Sequence, residues 1–321
     1  FALRWGGKEV ADTLIDGYNA TYEFHSAKEM SVTGLIALFG LMLNNKEGFA
    51  MWHTAGGEMQ VLPNALAKKL KVKLNTVIQD ASTLLKEYDA VVLATTADVT
   101  KKIYKSPTQA QRAVLRIVHY SSTITLSFRV PVECVQGLAI ITVPNIESKI
   151  ISSYSNEANK GTIVNGQTLV NVWIWDDYAP ELLKKTDEEI FEIVKKELIR
   201  VCPPLQRHPD PVLSSSWLDQ DQTTNDERNN PPHSNSLPIE GRENSVVVHD
   251  LQRLPVSMPK YEHEYITRVA EFWAKGQGDR NVWFCGDYLN APWVEGSVRC
   301  GQKVAKKIIE ADFAPACLWQ G

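Results

Sequence analysis

Val282-Trp283-Phe284-Cys285-Gly286-Asp287, followed after a short Asn/Pro loop by Trp293-Val294-Glu295-Gly296-Ser297-Val298-Arg299-Cys300-Gly301, is the stretch that decides the fold. An apolar run stops at a Gly-Asp pair, and a Glu-Gly-Ser step then opens a helix. Buried strand, loop and helix N-terminus in that order are how α/β proteins build anion and cofactor sites, so the chain is expected to be α/β. Asp287, after Gly286, stands at a strand end, where its carboxylate can meet a hydroxyl of a bound molecule; the same residue type also suits a cap or a loop. Glu295, Gly296, Ser297 and Val298 start the helix, whose free N–H groups and dipole favour a negative partner. A self-capped helix is the plainer reading of those four residues. Gly296 permits close backbone approach because it has no Cβ.

Working outward, Val10, Leu14 and Ile15 share one helical face and Leu35, Leu38, Phe39 and Met42 another, so residues 1–50 read as helices. Pro63 sits where a first helical turn tolerates it, and the Ala/Leu/Lys run behind it forms helix readily. Residues 75–78 and 90–94 are short β-branched runs suited to a buried sheet. From about 112 to 175 the pattern becomes antiparallel-like, with period-two strands expected over 121–128, 138–143, 149–154 and 168–175. A charged helix is expected over 187–201, with Ile190, Ile193, Val194 and Leu198 on one side, stopped by Pro203-Pro204. Residues 214–245 are polar and aperiodic and read as a flexible insertion. Residues 246–248 restart a strand, and a helix over 262–273 leads through a Gly-rich turn into the terminal strand and helix.

Three more blocks stand in order ahead of the tail motif: Ala55-Gly56-Gly57-Glu58-Met59-Gln60-Val61-Leu62-Pro63, Leu74-Asn75-Thr76-Val77, and Asp89-Ala90-Val91-Val92-Leu93-Ala94-Thr95-Thr96-Ala97. Together the four blocks resemble the flavin-containing amine oxidase superfamily, on its protoporphyrinogen-oxidase and carotenoid-desaturase side. Residues 7–12 through 29–31 are similar to that family's substrate-domain helices, and Leu254-Pro255-Val256-Ser257-Met258-Pro259-Lys260-Tyr261 to its proline-containing segment near the flavin. The resemblance spans most of the chain. It implies an FAD-binding domain assembled from 51–100 and 246–312, and a mixed-sheet α+β substrate domain from 1–50 and 101–245 that carries the 214–245 insertion. The FAD-binding domain is expected to be Rossmann-like but incomplete. No Gly-x-Gly-x-x-Gly phosphate turn occurs, because Gly6-Gly7 and Gly56-Gly57 lack the spacing. The chain therefore reads as the C-terminal portion of a longer enzyme or as a degenerate relative.

The resemblance also implies roles. Asp287 would accept a hydrogen bond from a ribityl hydroxyl, and Glu295, Gly296, Ser297 and Val298 would turn N–H groups toward the flavin or its pyrophosphate. Gly56 and Gly57 would let the backbone pass close to the cofactor, against the plain reading of a turn before a helix. Val77 would meet the adenine through its backbone, and Thr95 would lie where a sheet strand meets the cofactor, although a strand-end turn suits Thr95 and Thr96 as well. Trp293 matches an aromatic wall beside the flavin, with core packing as the alternative; the family's partner wall is not recognisable, although Met258 or Tyr261 lies near that part of the chain. The implied activity is FAD-dependent removal of hydride from a C–H bond of a small amine or of an apolar, conjugated substrate, with oxygen or another electron acceptor downstream. Two other readings stay open: a catalytically silent binding module, and a non-redox flavin isomerase.

Bulk properties remove several alternatives. The 321 residues carry a net charge of −4, which leaves no electrostatic footprint for nucleic acid. Lys68, Lys69, Lys71 and Lys73 read as a solvated helix end. The five cysteines have neither Cys-x-x-Cys nor metal spacing and read as free thiols of a reducing, cytoplasmic compartment. The seven histidines do not cluster, so no metal is expected, and no Gly-x-Ser-x-Gly elbow occurs. The apolar run 32–43 is too short to cross a bilayer. It reads as a buried helix, with peripheral membrane contact as the alternative because some relatives of the resembled family dock on membranes.

Overall fold

The computed structural model describes residues 1–43, 60–160, 163, 165–207 and 251–312. Gly56, Gly57, the 214–245 insertion and the 246–248 strand lie outside them. In chain order the helices are α1 (Ala2–Glu9), α2 (Asp16–Glu23), α3 (Val32–Leu43), α4 (Val61–Ala67), α5 (Ala97–Ile103), α6 (Gln109–Arg116), α7 (Ala179–Leu182), α8 (Asp187–Val201), α9 (Pro203–Arg207), α10 (Tyr265–Lys275) and α11 (Trp293–Asp312). The strands are β1 (Val91–Leu93), β2 (Thr123–Pro131), β3 (Ile140–Thr142), β4 (Ile151–Asn156), β5 (Gln167–Ile174), β6 (Leu251–Leu254) and β7 (Val282–Phe284). Among the described residues no helix is long and apolar enough to cross a membrane.

Contacts group the chain into two units, Phe1–Ser26 with Ser121–Ser257, and Ala27–Tyr120 with Met258–Gly321. The first holds a five-stranded sheet in the order β3-β4-β5-β2-β6, antiparallel at every pairing. Period-two alternation sends Ile124, Leu126, Phe128 and Val130 of β2 and Val170, Val172 and Ile174 of β5 into the core. Ile190, Phe191, Val194 and Leu198 of α8 belong to the same cluster, and the rings of Phe128 and Phe191 stack at 5.0 Å. Helix α8 starts on a capping box: Thr186 accepts from the Glu189 N–H, and the Glu189 carboxylate accepts from the Thr186 N–H at 2.9 Å. By contrast, Val10 and Leu14 are exposed, so the first helical segment does not bury the face expected of it.

The second unit is built on β1 and β7, which run parallel with Val91 opposite Val282 and Leu93 opposite Phe284. The mixture of pairings expected for an α/β chain is thus divided, parallel in this unit and antiparallel in the other. Phe284 stacks on Phe272 of α10 at 5.5 Å and meets Tyr104 edge-on at 6.0 Å. On its far edge β7 is closed by a side chain. Gln277 donates to the Phe284 carbonyl at 2.7 Å and accepts from the Phe284 N–H at 2.9 Å, as a neighbouring strand would. Beyond β7, β1 has no further ladder partner among the described residues, and Val92 is 45% exposed.

The unit boundaries differ from those expected from the sequence, for local reasons. Residues 27–43 group with the parallel pair because the Ser31 N–H bonds the Tyr261 carbonyl at 2.8 Å and Gly34 lies against Tyr261. Residues 101–120 join them through Gln111 of α6, whose amide donates to the carbonyls of Asp279 and Val282 at 3.2 Å each. Residues 251–254 go the other way, because β6 pairs with β2. The strand expected over 75–78 is absent. Asn75 is left-handed at φ 53°, Leu74 and Val77 are 78% and 82% exposed, and no strand among the described residues pairs with this segment.

Candidate functional site

The parallel register brings the carboxyl ends of β1 and β7 side by side: the Cys285 N–H bonds the Leu93 carbonyl at 3.0 Å. Outside carboxyl strand ends is where open parallel sheets bind ligands. Thr95 and Thr96 leave β1 here and start α5; Gly286 and Asp287 leave β7. Thr95 is half-buried and shares a hydrogen bond with the Thr100 hydroxyl at 2.8 Å. The hydroxyl of Tyr120 accepts from the Ala97 N–H at 2.8 Å, satisfying one of the free donors of the α5 start.

Asp287 is half-buried. One carboxylate oxygen accepts from the Tyr288 N–H at 2.8 Å. Burial raises the carboxyl above the usual Asp range, while the backbone N–H groups of Tyr288 and of Asp287 itself pull it down. Burial raises the Tyr120 hydroxyl too, and the nearby Asp287 and Asp98 charges add to that shift.

The loop that carries Asp287 is held by aromatic donors. The Tyr261 hydroxyl donates to the Asp287 carbonyl at 3.2 Å, Tyr265 to that of Tyr288 at 2.7 Å, and the Trp273 indole N–H to that of Leu289 at 2.8 Å. Three consecutive carbonyls are thereby fixed from one side. From the sequence, Tyr261 ended the proline-containing segment and the other two read as helix residues; the periodicity of an amphipathic helix gives no sign that their polar tips reach loop carbonyls.

The start of α11 differs in detail from its expectation. Trp293 is half-buried and left-handed at φ 72°, which bends the chain into the helix. Glu295 is exposed and bonds Arg299 one turn on at 2.6 Å; Ser297 and Val298 are exposed as well. Gly296 is buried, and its reason is internal: a Cβ there would lie 1.6 Å from the Ala291 carbonyl oxygen. The absent side chain makes room for the chain's own loop, and the Asn290 amide donates to the Gly296 carbonyl at 3.2 Å. Thr95, Gly286 and Asp287 are therefore brought together, with Trp293 through Val298 following on the same loop and helix. Val77 stands in solvent, and Gly56 and Gly57 are outside the described residues. A cleft of about 370 Å³ lined by Leu85, Tyr88, Arg280, Trp283 and Ile308 opens at the amino ends of β1 and β7, away from Thr95 and Asp287.

A ribityl-bearing cofactor fits the donor set at these strand ends. A half-buried carboxyl can accept from a sugar hydroxyl. Comparison with known proteins agrees with that chemistry. A family model described as flavin containing amine oxidoreductase matches residues 3–309. No curated protein matches. Among solved structures, reduced UDP-galactopyranose mutase is similar over 89% of this chain and 61% of its own, at 13% identity and a TM-score of 0.53, a likeness of fold. A putrescine oxidase triple mutant redesigned in cofactor binding has 14% identity over 69% of this chain and 43% of its own, with a TM-score of 0.42. A protoporphyrinogen oxidase assigned as such in Exiguobacterium sp. 255-15 has 14% identity over 69% and 41%, with a TM-score of 0.46. The chain thus spans less than half the length of these last two.

Proposed function

The chain belongs to the flavin containing amine oxidoreductase family, whose cofactor is FAD, and from that premise we propose that it is part of an FAD-dependent oxidoreductase that removes hydride from a small molecule. The bond attacked is a C–H beside an amine nitrogen or within a conjugatable hydrocarbon. FAD, when bound, accepts the hydride and passes the electrons to oxygen or another acceptor. The chain's own residues hold and orient. Asp287 would accept from a ribityl hydroxyl, and Tyr261, Tyr265 and Trp273 keep its loop from shifting. Thr95 borders the cofactor from the neighbouring strand end. Trp293 supplies an aromatic wall for the substrate, and the first N–H groups of α11 face negative charge.

One observation carries this reading: two parallel strands end side by side, with a half-buried carboxyl on one exit. One hydrogen bond to a charged group is worth about 1.5–3 kcal/mol, so losing it weakens binding roughly ten- to hundredfold. We expect the protein reconstituted with FAD to keep its yellow absorbance through gel filtration, and Asp287→Ala, folded by circular dichroism, to lose most of it. Equal flavin retention by both would remove Asp287 from the site. A wild-type protein that stays colourless after reconstitution would favour the second reading, a binding module without redox chemistry. That reading has its own support in β1, which pairs with β7 and with no other strand among the described residues.

A further inference from the structure

We propose that Cys285 and Cys300 form an oxidation-sensitive dithiol, which a hydroperoxide closes into a disulfide that staples the loop between them. Cys285 directly follows β7, and Cys300 lies in α11. Both are buried, Cys285 at 8% exposure and Cys300 at none. The N–H of Gly286, the residue after Cys285, donates to the Cys300 sulfur at 3.4 Å. Beside them stands Gly301, where an added Cβ would sit 3.8 Å from the Cys285 sulfur, so no side chain separates that sulfur from the helix backbone. Each sulfur thus lies against the residue that follows the other cysteine, and a disulfide needs the sulfurs about 2 Å apart.

The pair is asymmetric. The neighbouring Cys300 side chain holds the Cys285 thiol below its ordinary value, while the same pairing and burial push Cys300 up. Cys285 is also the more exposed of the two, which makes it the attacking sulfur. Cys134 and Cys202, buried in the other unit, are both raised by burial and serve as internal controls. The steps balance. The Cys285 thiolate attacks the outer oxygen of the hydroperoxide, the O–O bond breaks, and an alcohol (water, for hydrogen peroxide) leaves with the proton, giving a sulfenic acid. The Cys300 sulfur then attacks the Cys285 sulfur as its own proton departs; the S–S bond forms, the S–O bond breaks, and water leaves. Two thiols are oxidised by two electrons and one peroxide is reduced.

The closed loop holds residues 286–299, Asp287 and Trp293 among them, so the staple acts on the loop at the strand ends whether or not a cofactor is bound there.

The test treats the whole protein with hydrogen peroxide, alkylates remaining thiols and maps peptides. The expected result is a linked pair of peptides carrying Cys285 and Cys300, two hydrogens lighter than the reduced pair and separated again by a dithiol reductant, with Cys134 and Cys202 still alkylated. Cys285 and Cys300 left free at peroxide levels that oxidise exposed methionines, or Cys285 driven to sulfinic acid beside a free Cys300, would overturn the proposal. In Cys300→Ser the sulfenic acid at Cys285 is expected to persist and react with dimedone; no labelling in the folded variant would overturn the order of attack. Hydrogen exchange of the amides of residues 287–293 should slow on oxidation, and unchanged rates would overturn the stapling.

Discussion

Asp287 and Gly296 show how one side chain, or the lack of one, shapes the loop after β7. The Asp287 carboxyl is raised by burial, so folding favours its neutral form. A raised acid contributes full stability below its unfolded pKa and loses it as pH rises through the folded value. Asp287→Asn is never charged and escapes that loss. Its Tm relative to wild type should therefore rise from acid to neutral pH, as followed by thermal melts across the range; a flat difference would contradict the buried environment. Gly296 tolerates no side chain, because a Cβ would sit inside bonding distance of the Ala291 carbonyl oxygen. Gly296→Ala should cost more than about 3 kcal/mol or abolish the fold, measurable as lost soluble yield or a lowered denaturation midpoint. Loss of flavin in that variant would then report on folding, which is why Asp287 is the better probe of binding.

At this scale the sequence was readable in part. A Gly-Asp pair after an apolar run marks a strand end regardless of context, so Asp287 and Gly286 stood out. The reason for Gly296 did not, because it depends on a carbonyl five residues upstream folded back over it. Val77 illustrates the opposite failure: a β-branched residue is suited to a sheet, but β-propensity needs a neighbouring strand to express it, and no strand among the described residues pairs with it.

Among the elements, α8 was legible to its ends. Its capping box, its apolar stripe and the Pro203-Pro204 stop are local signals, and local signals decide helix limits. The ladder order β3-β4-β5-β2-β6 was not, since alternation tells which face a residue takes and not which strand lies beside it. Nor was the work of Gln111 and Gln277, polar residues whose amides serve strand backbone far away in the chain or across a turn. Removing the Gln277 amide leaves the buried N–H and carbonyl of Phe284 without these partners. Gln277→Ala should cost about 2–3 kcal/mol in urea denaturation, beyond the value of an exposed glutamine.

For the molecule as a whole, two separate apolar clusters stand where one continuous core would serve a smaller chain. Leu198 is fully buried in the cluster of the antiparallel sheet, and Leu198→Ala should cost about 2–5 kcal/mol. Hydrogen exchange should accelerate first in β2, β4 and β5, the strands that share its core; acceleration beginning in β7 would contradict the assignment of clusters. The grouping of 27–43 and 101–120 with the parallel pair was hidden in the sequence for the same reason as the ladder order. Interleaved segments are joined by bonds between residues more than a hundred positions apart, as Gln111 is to Val282.

Gln277 has one more consequence. With an amide already spanning the outer flank of β7, the N–H and carbonyl of Phe284 are both taken, and no strand can add to that flank without first displacing the glutamine. On β1 the Leu93 carbonyl is engaged by Cys285, which leaves Val92 to turn its N–H and carbonyl the other way. A single side chain thus gives the two flanks of this pair opposite characters.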